Sequence, residues 1–389
     1  MVAFLSLHRK LRNAALGLFA AAALAACDVP VGGGSGSIFN PTRAIPVALL
    51  VPSSSANAGD IANSLENAAR LAVSDLQGVE IDLRVYDTGG TSTGASAAAT
   101  DAINEGADII VGPLFGAAAE AAGQVAAQRG VNVLTFSNNP SFAGGNVFLL
   151  GNTFQNSAYR LVRYAANQGR GAFYIVHAED EGEIAGRDAI QRAVVGSGSA
   201  VAGTSSFPLS QQGVINAIPE IASGVRSSGA NSVFVTSGTV GALPFLADLL
   251  PENGSDASVA QFIGLQRLDI PSSALSLKGL QGAWFAAPSP ERTATFNARY
   301  QAAFGTVPSP VAGLAYDGIA AIGALAAQGN PNPFGTASLT QGVGFAGVYG
   351  PFRFLPNGTN ERGLAVAQIQ SNQVIVIDPA PRSFGGPGF

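Results

Sequence analysis

The side chains able to do chemistry are few in this chain, and that scarcity narrows what it can do. It has one cysteine, Cys27, and two histidines, His8 and His177. Structural and catalytic zinc sites draw on Cys and His clustered at short spacings. No such cluster is present, so no metal and no cofactor is expected. A serine nucleophile on an α/β scaffold needs a Gly-x-Ser-x-Gly elbow and a histidine base. The elbow is absent, and His177 is the one histidine outside the extreme N-terminus. A phosphate loop ending in Gly-Lys-Ser/Thr is absent too. Gly342-Val343-Gly344-Phe345-Ala346-Gly347 has the spacing Gly-x-Gly-x-x-Gly. A dinucleotide loop of that spacing follows a strand and opens a helix, whereas strand-like Phe352-Arg353-Phe354 follows here. These glycines read as backbone freedom where the chain crosses between two parts. Glu179-Asp180-Glu181 reads as a solvated loop. No catalytic residue is assigned, and a binding protein rather than an enzyme is expected.

Recognition residues have to be held in place, and the body of the chain supplies repeated strand and helix signals. Residues 45–51 are an apolar run ended by Pro52 and Ser53-Ser54-Ser55. Ile61, Leu65, Ala68, Ala69, Ala72 and Leu76 recur at helical spacing, with Asp60 placed to cap that helix. Residues 79–86 alternate as a half-buried strand does, 92–105 form an Ala-rich helix, and 109–111 form a compact buried strand stopped by Gly112-Pro113. A helix over 116–129 and a strand over 131–136 follow. The pattern restarts after Gly151, with helices over 154–166 and 184–195 and strands over 172–177, 201–207, 232–236 and 261–265. Alternation of this kind predicts parallel sheets covered by helices on both faces. Residues 292–304 and 311–327 read as helices. The end differs: 352–355, 364–370 and 373–377 read as antiparallel strands, and Asn357-Gly358 is a tight-turn signal. Hydrophobic residues make up 47% of the chain and charged residues 12%, enough for a large core. The net charge is −5, and an acidic body argues against nucleic acid, whose phosphates need a basic surface.

The N-terminus reads as a targeting segment. His8, Arg9, Lys10 and Arg12 precede an apolar stretch over 14–23, too short to span a hydrocarbon core that needs ~20 residues. Leu24-Ala25-Ala26-Cys27 resembles the lipobox of bacterial lipoproteins. The resemblance implies cleavage after residue 26 and diacylation of the Cys27 sulfur, anchoring the protein to the inner or outer membrane and facing the periplasm. Residues 27–43 are rich in Gly and Ser and read as a flexible tether with a reach of roughly 20–25 Å.

The body resembles a known family. Ile109-Ile110-Val111-Gly112-Pro113, then a helix, then Gly130-Val131-Asn132-Val133-Leu134 resembles the first lobe of type I periplasmic binding proteins of the leucine/isoleucine/valine type. Gly313-Leu314-Ala315-Tyr316-Asp317-Gly318 and Gly344-Phe345-Ala346-Gly347-Val348-Tyr349-Gly350 resemble later family segments. The resemblance implies two Rossmann-like lobes with parallel sheets: 44–150 plus 285–335, and 151–284 plus 336–378, with a tail over 379–389. Three hinge crossings near Gly151, Ala286 and Gln341 would join them. It also implies capture of a small polar ligand, amino-acid-like or cell-wall-derived, for an ABC permease. A narrower resemblance lies in Tyr86-Asp87-Thr88-Gly89-Gly90-Thr91, Gly112-Pro113-Leu114-Phe115 and Thr135-Phe136-Ser137-Asn138-Asn139, which are similar to penicillin-binding protein activators. Those lipoproteins act on peptidoglycan synthesis, so a peptidoglycan synthase is the alternative partner. They often carry an N-terminal helical-repeat domain for which this chain has no room.

Ligands in open parallel sheets bind beyond the carboxyl ends of strands. On that rule the first-lobe candidates are Ser54 and Ser55, Leu114, Phe115 and Gly116, and Ser137 and Asn138. The second-lobe candidates are His177 and Glu179, Ser237 and Thr239, and Gln266 and Arg267. Ser and Asn after strands also serve as ordinary turn formers. Leu114 and Phe115 make an apolar loop where the amino-acid receptors would place serines. If an α-amino group is bound, Glu179, Asp180 and Asp269 are the carboxylates available to face it.

Overall fold

The computed structural model describes residues 43–384. The signal segment, Cys27, nearly all of the tether and the last five residues of the tail lie outside the described residues. The first sheet has five strands in the order β2-β1-β3-β4-β5, all parallel. They are β1 (Ile45–Val51), β2 (Ile81–Asp87), β3 (Ile109–Val111), β4 (Val133–Thr135) and β5 (Val147–Leu149). β1 is buried at every position, because helices cover both of its faces. Each fully buried Val or Leu on it contributes roughly 1.5–3 kcal/mol of transfer free energy. β2 is the edge strand, which is why its sequence alternates and stays half-exposed.

On one face lie α1 (Gly59–Asp75), α8 (Pro290–Phe304) and α9 (Ala312–Ala327), packed through Leu65, Phe296, Tyr300 and Ile322. On the other lie α2 (Ser92–Asn104) and α3 (Gly116–Ala127), whose contact faces are almost all alanine. Small side chains let these two helices sit close together over a short strand pair. Helix α1 begins two residues earlier than Asp60 would dictate as a cap. Ala58 is its N-cap without a side-chain bond, and Asp60 lies in the first turn, where its charge suits the helix dipole.

The second sheet has seven strands in the order β15-β14-β10-β9-β8-β6-β7. Its parallel part is β6 (Ala172–Ala178), β7 (Ala200–Phe207), β8 (Ser232–Val235), β9 (Gln261–Gly264) and β10 (Trp284–Ala287). β14 (Ala365–Gln370) and β15 (Gln373–Asp378) add to it antiparallel. Helices α4 (Phe154–Asn167) and α5 (Glu181–Ser197) cover one face. Helices α6 (Gln211–Ser227) and α7 (Leu243–Glu252) cover the other. The α/β class expected from the alternation is the observed one, and the second sheet is mixed because of its closing strands.

A small antiparallel sheet joins β11 (Phe345–Gly347), β12 (Gly350–Phe354) and β13 (Asn360–Arg362). Sequence reasoning put 336–378 with the second lobe. Phe345, Tyr349, Phe352 and Phe354 instead join the core of the first sheet, with Phe354 edge-on to Phe148 of β5. The Asn357-Gly358 turn also docks on β5, where Leu149 N donates to Gly358 O at 2.8 Å. Only Gly fits there, since its φ is +80° and a Cβ would lie 2.3 Å from Gly144 N. The third passage from the first sheet to the second therefore falls at residues 363–364, later than Gln341. Two of the three 342–347 glycines serve packing: a Cβ on Gly344 would lie 2.5 Å from Phe352 O, and one on Gly347 would meet the Asp317 carboxylate at 2.7 Å.

Candidate functional site

The chain leaves the first sheet from the carboxyl end of β5 and leaves the parallel part of the second from the carboxyl end of β10. β14 then enters the second sheet beside Ala287, the last residue of β10. All three passages thus lie at strand carboxyl ends, and the two carboxyl edges adjoin one hinge. This is where parallel sheets bind ligands.

A buried polar network holds the hinge. Arg362 Nε donates to Leu150 O at 2.8 Å, and its Nη1 donates to Asp317 Oδ2 at 3.1 Å. Asp317 is fully buried and also accepts from Val348 N at 2.7 Å. Burial pushes its carboxyl up from the ordinary value, opposed by the Arg362 guanidinium. Asn360 Nδ2 donates to both Leu149 O and Gly151 O, at 2.7 and 2.8 Å, while its Oδ1 accepts from Asn156 of α4. Arg160 of α4 donates to Leu364 O. Ser289 N donates to Tyr349 O across the second passage.

On the first edge, the loops after β1, β2 and β3 converge. Gly90 has φ +76°, and a Cβ there would lie 3.2 Å from the Phe115 ring and 3.4 Å from Ser55 Oγ. Ser54 is exposed, and its N–H donates to Asp87 Oδ1 at 3.2 Å. The Ser54 hydroxyl, helped by the Gly89 and Ser54 amides, holds the Asp87 carboxyl below its ordinary value. Phe115 leaves 42% of its surface exposed, a large open ring at the start of α3. As N-cap of that helix it makes no side-chain bond, leaving the first-turn amides of α3 without a side-chain cap. Gly116 faces Phe142, whose ring would lie 2.2 Å from a Cβ. Leu114 turns the other way and packs on the first core. Ser137 is buried and serves its own turn, accepting from Asn139 N, whereas Asn138 is exposed.

On the second edge, His177 is buried on β6 with Nδ1 2.8 Å from Ala178 O, a local structural bond. Glu179 lies exposed and accepts from Ser206 of β7 at 2.8 Å. Asp180 caps α5, accepting from Gly182 N and Glu183 N. Thr239 Oγ1 donates to Ile270 O. Gln266 Nε2 donates to Thr236 O at 2.9 Å, and its Oε1 lies where a side chain on Gly238 would go. Arg267 and Asp269 form a two-pronged ion pair at 2.6 and 2.5 Å. Ser237 is fully buried, and its hydroxyl donates to Glu183 Oε2 at 2.7 Å.

Glu183 is the residue that sequence reasoning missed. Its Oε2 also accepts from Thr236 Oγ1 and from Ala178 N. It thus joins the ends of β6 and β8, neighbours between which the strand order reverses. The available signal was its place as third residue of a helix following a capping Asp180. A groove of about 240 Å³ beside Ala324, Gln328 and Val343 involves none of these residues. Among the described residues no three His, Cys, Asp or Glu side chains group as metal ligands.

The match to known proteins follows this geometry. The family model for periplasmic binding proteins matches residues 44–373. The chain belongs to the periplasmic binding protein family. No curated protein matches it. Among solved structures, a Rhodospirillum rubrum protein assigned to branched-chain amino acid ABC transport is 17% identical with a TM-score of 0.74, over 86% of this chain and 100% of its own. A Desulfitobacterium hafniense ABC transporter substrate-binding protein in complex with Leu is 17% identical with a TM-score of 0.65, over 86% of this chain and 100% of its own. A Rhodopseudomonas palustris ABC transporter solute-binding protein in complex with 3,4-dihydroxybenzoic acid is 17% identical with a TM-score of 0.59, over 89% of this chain and 99% of its own. At this identity the likeness establishes the fold. As a periplasmic binding protein, the chain is a receptor for solutes and not an enzyme.

Proposed function

We propose that this chain is a membrane-anchored, leucine-type solute-binding protein that captures a small polar ligand between its two sheet edges and delivers it to an ABC permease. The observation that carries the reading is the placement of both carboxyl edges at one hinge, with Ser54, Ser55 and Phe115 on one side and Ser237, Gln266 and Arg267 on the other. The first-turn amides of α3 suit an anionic group such as a carboxylate. The solved relatives in complex with leucine and with an aromatic acid support ligands of that size. A ligand that binds only the folded state raises stability by about 2.7 kcal/mol at a hundredfold excess over Kd. A thermal-shift screen of amino acids, aromatic acids, peptides and cell-wall fragments is expected to give at least one clear rise. A screen without any shift would sink the reading.

The anchor rests on the lipobox-like Leu24-Ala25-Ala26-Cys27. Replacing Cys27 by Ser is expected to abolish labelling by a fatty-acid probe and to leave the precursor uncleaved. Normal processing of that variant would refute the anchor.

The exposed Phe115 ring favours one second reading, in which the cleft rim contacts a peptidoglycan synthase. It predicts recovery of a synthase after crosslinking in cells and its loss in Phe115→Ala; recovery of permease subunits alone speaks for transport.

A further inference from the structure

We propose that β15 is a self-association edge, on which a second copy of this chain pairs antiparallel and extends the seven-stranded sheet. β15 is the last strand at one end of that sheet, and among the described residues nothing pairs with its outer side. Its sequence, Gln373-Val374-Ile375-Val376-Ile377-Asp378, holds four branched aliphatic residues in a row. Such residues favour a pleated strand, and here Ile375 and Val376 leave 40% and 39% of their surface exposed. The two-residue turn Ser371-Asn372 fixes the strand to β14. Both turn residues have positive φ, +51° and +61°, the backbone that matches the twist of a hairpin. The edge is therefore held extended before any partner arrives.

An open apolar edge is a template for another strand, and proteins ordinarily blunt it with charge, proline, shortness or cover. The other edges of the two large sheets are blunted. β2 carries the Asp82–Arg84 ion pair, and β7 carries the hydroxyls of Thr204, Ser205 and Ser206. β5 is three residues long and covered by the Asn357-Gly358 turn. β15 has none of these over 373–376, and the irregularity in its register lies at the far end, opposite Val366 and Ala367. The occupant follows from the strand's own pattern. A two-fold axis through Ile375, normal to the sheet, sets Ile375 against its twin and Val374 against Val376. The strand's one charge, Asp378, lies at its end, where Arg160 meets it at 2.6 Å. Antiparallel pairing sends the two Asp378 side chains to opposite ends, so no like charges face each other. A charged partner segment would find no counter-charge over 373–377, whereas a second β15 is uncharged over the same stretch. β14 and β10 separate β15 from β9, β8 and β6, so the pairing takes up no cleft residue. One strand pair is a small contact, and a reversible dimer is expected.

Sedimentation equilibrium of the full chain in density-matched detergent is expected to show a reversible monomer–dimer equilibrium. Ile375→Lys sets two ammonium groups face to face and should weaken the dimer about tenfold or more. Its melting temperature as a monomer is expected to hold, because the side chain is exposed. Cysteine crosslinking reads the register independently. In Ile375→Cys the two thiols stand directly opposite, with Cβ atoms about 5 Å apart, and mild oxidation should give a linked dimer. In Gln373→Cys the twin thiols lie roughly 14 Å apart along the strands, and no linked dimer should form. The native chain, whose cysteine is Cys27, controls for linkage at that position. A monomer at every concentration overturns the proposal, as does a dimer that Ile375→Lys leaves intact, or equal linkage by the two cysteine variants. Linkage of Ile375→Cys to a different envelope protein in cells, without a self-linked dimer, overturns it too and gives the edge to that partner.

Discussion

At the scale of single residues, burial decides which polar side chains are free to act. His177, the one histidine of the body, spends Nδ1 on its own strand end, and Ser137 spends its hydroxyl on its own turn. Both sit where ligands bind in this fold, and both are taken up by local structure. Phe115 is the opposite case, an aromatic ring left open at a helix start. Phe115→Ala is expected to change stability by less than about 0.5 kcal/mol, as surface substitutions usually do, while altering ligand affinity. Chemical denaturation and ligand titration together check this. Arg362 is buried against Asp317, so its removal strands a carboxylate in the core. Arg362→Met should cost about 3–5 kcal/mol by urea denaturation. Asp75 gives a pH prediction. Burial opposes its ionisation, but hydrogen bonds from Arg299 and Tyr316 win and lower its pKa. A lowered folded value means stability that is present above the unfolded pKa, about 3.9, and is lost as pH falls through the folded one. The melting-temperature gap between native protein and Asp75→Asn should thus be widest near neutral pH and close on acidification.

At the scale of elements, the sequence pattern and the observed fold agree where one face or both faces of an element are buried. β1 reads as a continuous apolar run because helices cover it on both sides, and β2 alternates because it is an edge. Helices α2 and α3 were legible from alanine periodicity. β12 was legible as a strand, yet its allegiance was not, and the three-residue strands β11 and β13 were not read at all. A phenylalanine in an alternating strand records that one face is buried without recording against which core. The same holds for Gly344 and Gly347, whose spacing suggested flexibility and whose surroundings demand closeness. Gly347→Ala should therefore cost roughly 1–3 kcal/mol, typical of overpacking, since a Cβ would press on Asp317 and on Gly350 O. An unchanged urea midpoint would show that the strand simply shifts.

At the scale of the whole molecule, the hinge network joins the ends of β5, β10 and β13, and the proposed capture requires the two edges to approach. A ligand that stabilises the approach should reduce the radius of gyration of the protein in solution scattering, in proportion to occupancy. No change at saturation would mean that the edges are fixed as they stand. What the sequence alone determined was the α/β class, most of the alternating strands and helices but not the short strands β5, β10, β11 and β13, the poverty of catalytic groups and the strand-end loops as candidate sites. Those follow from local periodicity, turn chemistry and composition, each carried by residues close together in the chain. What only the tertiary structure decided was which of those candidates is free. Glu183 meets Thr236 and Ser237 from more than fifty positions away, and Asp317 meets Arg362 from 45. Hydrogen-bond commitments at that separation depend on packing, which no local pattern encodes.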